Sequence, residues 1–313
     1  MKRRRAWGIV GAAFVAGTAL AAQSVQPASS RRVYVTDVAA TLVQQGVALP
    51  APTGSDAAAF QAVPPPAVRN VPNVAFATSD PWIESNAWRF QRGLRQAHYA
   101  SLPDGSAGLA AAEAFTFGVE AILNPNPADV QSLASVLGFL NAHDQPRMPS
   151  LANIGIVDDG TPAMGEALNM LTRRNLLYRV VQQPDRRLDL TVRLGTRDFP
   201  ADAVQNPSEF AARVRAKLGD DKRLVRLYGT TTAIAHLTGA EDRVRLYLLS
   251  YSRNRSQPGL RVRLTGRYQP AGLAAYGAAS EATLADVRHP GRPTEFSLPP
   301  FSTIAVVDLT AMR

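Results

Sequence analysis

The chain has no cysteine in 313 residues. Structural disulfides, thiolate metal sites, a thiol nucleophile and a lipidated cysteine anchor are therefore all excluded. Histidine is also scarce. His98, His143, His236 and His289 are scattered, without the spacing of metal ligands, so no metal and no other cofactor is expected. Charged residues are 19% of the chain and hydrophobic residues 46%, which places it with globular rather than disordered proteins. Only one long uncharged apolar run occurs, and it lies at the N-terminus.

That run follows four positive charges. "MKRRR" precedes "AWGIVGAAFVAGTALAA", and Ala19-Leu20-Ala21 supplies the small-x-small pattern that precedes a cleavage site. Residues 1–21 read as a secretory signal peptide, with an uncleaved membrane anchor as the alternative. Arg4-Arg5 could be read as a twin-arginine signal but lacks the surrounding apolar motif, and the export route, general or twin-arginine, stays open. The expected location is secreted or periplasmic, with no transmembrane span after cleavage. Without the leader's four cations the formal net charge of +9 falls to +5, which gives no mandate for nucleic acid.

Residues 22–75 are rich in Ala and Pro; "RRVYVTDVAATLVQQG" could make one strand or short helix, but Pro64-Pro65-Pro66 removes three amide donors, so a linker or loosely packed arm is predicted. Residues 76–150 hold an aromatic loop and a helical segment, with a possible strand over Val74 to Ala77 just before it. Helical spacing runs from Leu109 through Phe115 to Leu123, and again from Val130 to Leu140. Over 151–229 strands alternate with helices. Ile154 to Val157 is a short apolar strand, Asp158-Asp159-Gly160 a turn, Thr161 an N-cap and Pro162 the first helical residue. "NLLYRVV", "LDLTVRLG" and "KRLVRLYG" complete a small doubly wound parallel sheet. Over 230–313, short alternating runs separated by Gly, Pro and Asn turns predict an antiparallel β-sandwich. The fold class is thus α/β plus all-β.

The order of "IGIVDD", "NLLYRVV", "LDLTVRLG", "KRLVRLYG" and the sandwich resembles the region after the barrel in bacterial β-galactosidase-type glycoside hydrolases. There a class I glutamine-amidotransferase-like domain precedes a C-terminal β-sandwich. The resemblance implies a domain for packing or oligomerisation, because the amidotransferase nucleophile is a cysteine and this chain has none. A whole (β/α)₈ barrel needs about 250 residues and does not fit before residue 151. "IGIVDDGTPAMGEALNML" also resembles the start of a response-regulator receiver, but Leu194 falls where the phosphorylated aspartate should stand.

Four groups of residues are candidates for function. Glu113 and Glu120, seven apart, would share a helix face and could act as an acid–base pair on a glycan; solvated helix charges are the plainer reading. Trp82 and Trp88, with Asp80 and Glu84, have the chemistry of a sugar-binding surface, or else anchor the aromatic segment on the helices. Asp158 and Asp159 would lie in the ligand crevice of a parallel sheet, or cap the next helix. Arg243, Arg245, Arg261 and Arg263 would crowd one face of a hairpin, relieved by Glu241, Asp242, Glu281 or Asp286, or by an anionic ligand. The expected role is a non-catalytic protein that associates with glycans or other envelope components. Glycan hydrolysis and homo-oligomeric scaffolding are the alternatives.

Overall fold

The computed structural model describes residues 32–72, 79–252, 256, 257 and 259–312, with no side chains described at 70–72, 79 and 80. The predicted leader and the strand expected over Val74 to Ala77 lie outside the described residues. Among those described, no helix is long and apolar enough to cross a membrane.

The chain opens with β1 (Val33–Val35), α1 (Ala40–Gln44), β2 (Leu49–Pro50), α2 (Gly54–Ala58) and β3 (Gln61–Ala62). A hairpin of β4 (Ala67–Pro72) and β5 (Ser79–Glu84) follows, then α3 (Ala87–Gln91), β6 (Gln96–Tyr99), α4 (Ala107–Phe117), β7 (Glu120–Leu123) and α5 (Val130–Ala142). Five of these strands form a parallel sheet in the order β2-β1-β7-β6-β3. The stretch expected to be mostly an arm therefore supplies three strands of a sheet, of which only β1 lies in the run that could make a strand. Two of them are only two residues long and leave no periodicity to read.

A second correction concerns α4. Its expected continuation to Leu123 ends at Gly118, which adopts the left-handed conformation (φ 62°) that glycine reaches without a Cβ clash. Val119 is buried, and the next four residues form β7. Glu113 is thus helical and Glu120 lies in a strand, so they share no helix face.

The second unit comprises β8 (Ile154–Val157), α6 (Pro162–Arg173), β9 (Tyr178–Val181), β10 (Leu190–Val192) and α7 (Pro207–Leu218). Its parallel sheet has the order β10-β8-β9. α6 starts at the predicted cap, and α7 is capped by Asn206. Thr161 Oγ1 accepts from Met164 N with Pro162 in the first turn, and Asn206 Oδ1 accepts from Glu209 N. Ile154, Ile156, Leu168, Leu171, Phe210 and Val214 are central to its core.

The remaining strands are β11 (Val225–Tyr228), β12 (Ala233–Ala240), β13 (Arg243–Ser250), β14 (Arg261–Leu264), β15 (Tyr268–Ala275), β16 (Ala285–Arg288), β17 (Thr294–Ser297) and β18 (Ile304–Ala311). They form two antiparallel four-stranded sheets, an outer one ordered β11-β14-β17-β16 and an inner one ordered β12-β13-β18-β15. "KRLVRLYG", expected as the fourth parallel strand, is β11 and pairs antiparallel with β14. The architecture is α/β plus an antiparallel β-sandwich. Alternation along the inner sheet feeds two cores. Leu246, Leu248, Ala305 and Val307 face the outer sheet, while Tyr247, Leu249, Ile304 and Val306 face the first unit. Burial on both faces, at about 1.5–3 kcal/mol per large apolar side chain, joins the sandwich firmly to the first unit through α4.

Candidate functional site

Glu113 is fully buried on α4. Its Oε1 accepts from Ser85 Oγ (2.7 Å), Asn86 N (2.8 Å) and the Tyr251 hydroxyl (2.6 Å). Its Oε2 accepts from Asn86 Nδ2 (3.1 Å) and the Tyr99 hydroxyl (3.0 Å). These donors come from the turn after β5, from β6 and from the residue following β13. The carboxylate therefore ties the first unit to the sandwich. Burial, and then the negative Glu113, push the Tyr99 and Tyr251 hydroxyls well above the usual tyrosine range, so both remain donors.

Above this cluster lies a cleft of about 280 Å³, lined by Arg69, Trp82, Glu84, Asn86, Trp88, Arg89, Glu166 and Asn169 among others. β5 delivers Trp82 and Glu84, and α3 delivers Trp88 and Arg89. α6 supplies Glu166 and Asn169 from the opposite wall. Trp82 and Trp88 are half-buried, so both sequence readings hold in part: they anchor the hairpin and α3 on the second unit, and they line the cleft. The Arg173 guanidinium lies 3.9 Å from the Trp82 ring centre, and Arg89 lies 4.2 Å from that of Trp88. Trp88 also rests on α6 at Gly165, where a Cβ would come within 2.9 Å of the indole.

The polar lining is partly committed. Arg69 pairs with Glu84, and Arg89 donates to Asn86 Oδ1 (3.1 Å), with desolvation lowering the Arg89 pKa. Asn169 is buried and Nδ2 donates to Ile83 O (3.4 Å), but no donor serves its Oδ1.

The other predicted residues fall elsewhere. The side chain of Asp80 lies outside the described residues; its backbone is in β5, paired with Val71. Asp158 forms an ion pair with Arg92 (2.7 and 2.8 Å), and Asp159 Oδ1 accepts from Thr161 N and Oγ1. The acidic pair therefore braces α3 against the second unit and closes the turn into α6. Glu120 pairs with Gln96 at the start of the parallel sheet and does not line the cleft.

The arginine hairpin does not form, because β13 and β14 belong to different sheets. Arg245 is buried against Asp308 with two bonds (2.6 and 2.9 Å), and Arg243 is exposed. Arg261 and Arg263 share Glu295 with Arg288. The relieving carboxylates are thus Asp308 and Glu295 rather than those near in sequence. Sequence reasoning missed Glu166, Asn169, Arg69 and Arg89 in the cleft, and Tyr99 and Tyr251 beneath it. Nothing local marks them, since four elements converge there. Among the described residues no three His, Asp or Glu side chains converge as a metal site requires.

No family model matches the sequence, and no curated protein does. Among solved structures the fold is similar to that of alpha-L-fucosidase isoenzyme 2 from Paenibacillus thiaminolyticus. That match has a TM-score of 0.51 at 9% identity, covering 70% of this chain and 60% of that one. A weaker likeness, TM-score 0.35 at 9% identity, joins 69% of this chain to 40% of the exo-carrageenase GH42 from Bacteroides ovatus. The alpha-amylase from H.orenii follows at 0.24 and 10% identity, with 67% and 36% covered. These neighbours are glycoside hydrolases. At such identities the first likeness speaks for the fold alone and the other two carry no argument.

Proposed function

We propose that this chain is an exported, non-catalytic glycan-binding protein related to the accessory domains of glycoside hydrolases, and that it holds sugar in the Trp82–Trp88 cleft. One observation carries the reading. Two indoles line a cleft that also presents amide, guanidinium and carboxylate groups, from Asn86, Arg69, Arg89, Glu84 and Glu166. Indole faces suit the C–H faces of a pyranose, and the polar groups suit its hydroxyls. Glu113 cannot be an acid–base residue from its buried position; in this reading it fixes Ser85 and Asn86 beneath the ligand.

Beyond residue 31, Trp82 and Trp88 are the only tryptophans, so fluorescence reports directly on the cleft. Titration with a panel of neutral and acidic oligosaccharides is expected to shift the emission, and Trp82→Ala to weaken binding about tenfold or more. Absence of any response across the panel would refute the proposal. Hydrolysis retains one favourable observation, since Glu84 and Glu166 both line the cleft. The same titrations separate the two readings: the binding reading expects no release of reducing ends, whereas hydrolysis requires release that Glu84→Gln abolishes.

A further inference from the structure

The outer sheet of the sandwich turns one face to solvent, and its ladder register aligns charge across the strands. Arg226 of β11 lies opposite Arg263 of β14, which lies opposite Glu295 of β17, which lies opposite Arg288 of β16. In the adjoining row Tyr228 lies opposite Arg261, which lies opposite Ser297. The side chains between them, such as Val225, Val262 and Phe296, point into the sandwich core. Arg261 and Arg263 are two residues apart on one strand, about 7 Å, and neighbouring strands are about 4.8 Å apart. Four guanidiniums therefore occupy one flat patch.

Compensation within the patch is incomplete and shaped. Glu295 is nearly buried and accepts one nitrogen from each of Arg261, Arg263 and Arg288. Two further carboxylates sit at its margins: Asp221, almost wholly exposed, 3.5 Å from Arg226, and Asp286, which accepts from Ser297. A guanidinium carries about five N–H donors, so one shared carboxylate holds the three heads in place and leaves most donors free to face outward. Heads fixed in this way lose little side-chain entropy on binding an anion. Tyr228, 45% exposed, adds a flat ring beside Arg261.

We infer that this face binds an acidic polysaccharide, carboxylated or sulfated. Its oxyanions would engage the Arg261–Arg263–Arg288 cluster, and a sugar ring would lie on Tyr228. Arginine forks match planar carboxylate and sulfate oxygens, and these strands carry no lysine. An anionic membrane surface fits less well. It is held by diffuse positive potential with inserted apolar residues, and among the described residues this face offers only Tyr228 and the edge residue Val287 as large exposed apolar groups. The site is separate from the tryptophan cleft and does not depend on it.

The test is calorimetric titration of the full chain with polygalacturonate and with dextran sulfate, using neutral dextran and phosphatidylglycerol–phosphatidylcholine vesicles as comparisons. Binding of at least one polyanion is expected at about 0.02 M salt, weakening as ionic strength rises to about 0.2 M. The double variant Arg261→Gln/Arg263→Gln should weaken it about tenfold or more. Tyr228→Ala, at an exposed position that leaves the core intact, should weaken it about threefold without changing charge. Any fluorescence response of the cleft to neutral sugar should be the same in Arg261→Gln/Arg263→Gln as in the parent. The proposal is overturned by failure of both polyanions to bind at low salt, by undiminished affinity in both variants, or by binding to the vesicles alone.

Discussion

Glu113 shows how far a residue's role can depart from its local pattern. Along α4 it stands in an alanine-rich run and reads as a solvated helix charge, yet it is fully buried, with both carboxylate oxygens accepting from donors on other elements. A buried carboxylate is tolerated only when its acceptor capacity is filled. Glu113→Ala would strand Ser85, Tyr99 and Tyr251 hydroxyls and leave a void. The expected cost is about 3–5 kcal/mol, read as a lowered midpoint in urea denaturation. A loss below about 1 kcal/mol would show that these donors find other partners.

At the scale of elements, turn and cap chemistry was the most legible signal. Thr161 and Pro162 start α6 where predicted, because a threonine hydroxyl accepts an amide that the helix cannot satisfy and proline needs no donor there. Asp159 adds acceptors for Thr161 itself. Thr161→Ala should cost about 1 kcal/mol in thermal or urea unfolding, while Thr161→Ser should be close to neutral. The short strands were illegible for the complementary reason. β2 and β3 each span two residues, below the length at which alternation exists, and their pairing with β1 and β6 is decided by the sheet around them. "KRLVRLYG" alternates like any strand, so its sequence could not reveal whether it would join the parallel sheet or the sandwich.

For the whole molecule, the inner sheet of the sandwich is the decisive layer, since it completes one core with the outer sheet and another with the first unit, where it packs on α4. Tyr251 and Tyr99 meet on Glu113 across that junction. Both hydroxyls are held above the ordinary tyrosine pKa of 10.0 in the folded chain, so folding favours their protonated forms. Their contribution is complete below about pH 10 and is lost as pH rises beyond it, by up to about 1.4 kcal/mol per pH unit for each tyrosine. Alkaline unfolding should therefore begin above about pH 10, and tryptophan fluorescence and far-UV circular dichroism should report one common transition. Two separated transitions would show that the units come apart independently.

By itself the sequence determined the local choices: which segments alternate, where α6 begins, and which chemistry is missing for want of cysteine. Propensity, capping and period are properties of neighbours along the chain, and they survive whatever the rest of the molecule does. Tertiary structure alone decided which strands share a sheet, that Glu113 is buried while Glu84 lines a cleft, and that Arg261 meets Arg288 rather than Arg243. Those outcomes depend on contacts between residues tens to hundreds of positions apart, where the closure of long loops and the filling of common cores select one pairing from many that the local pattern allows equally.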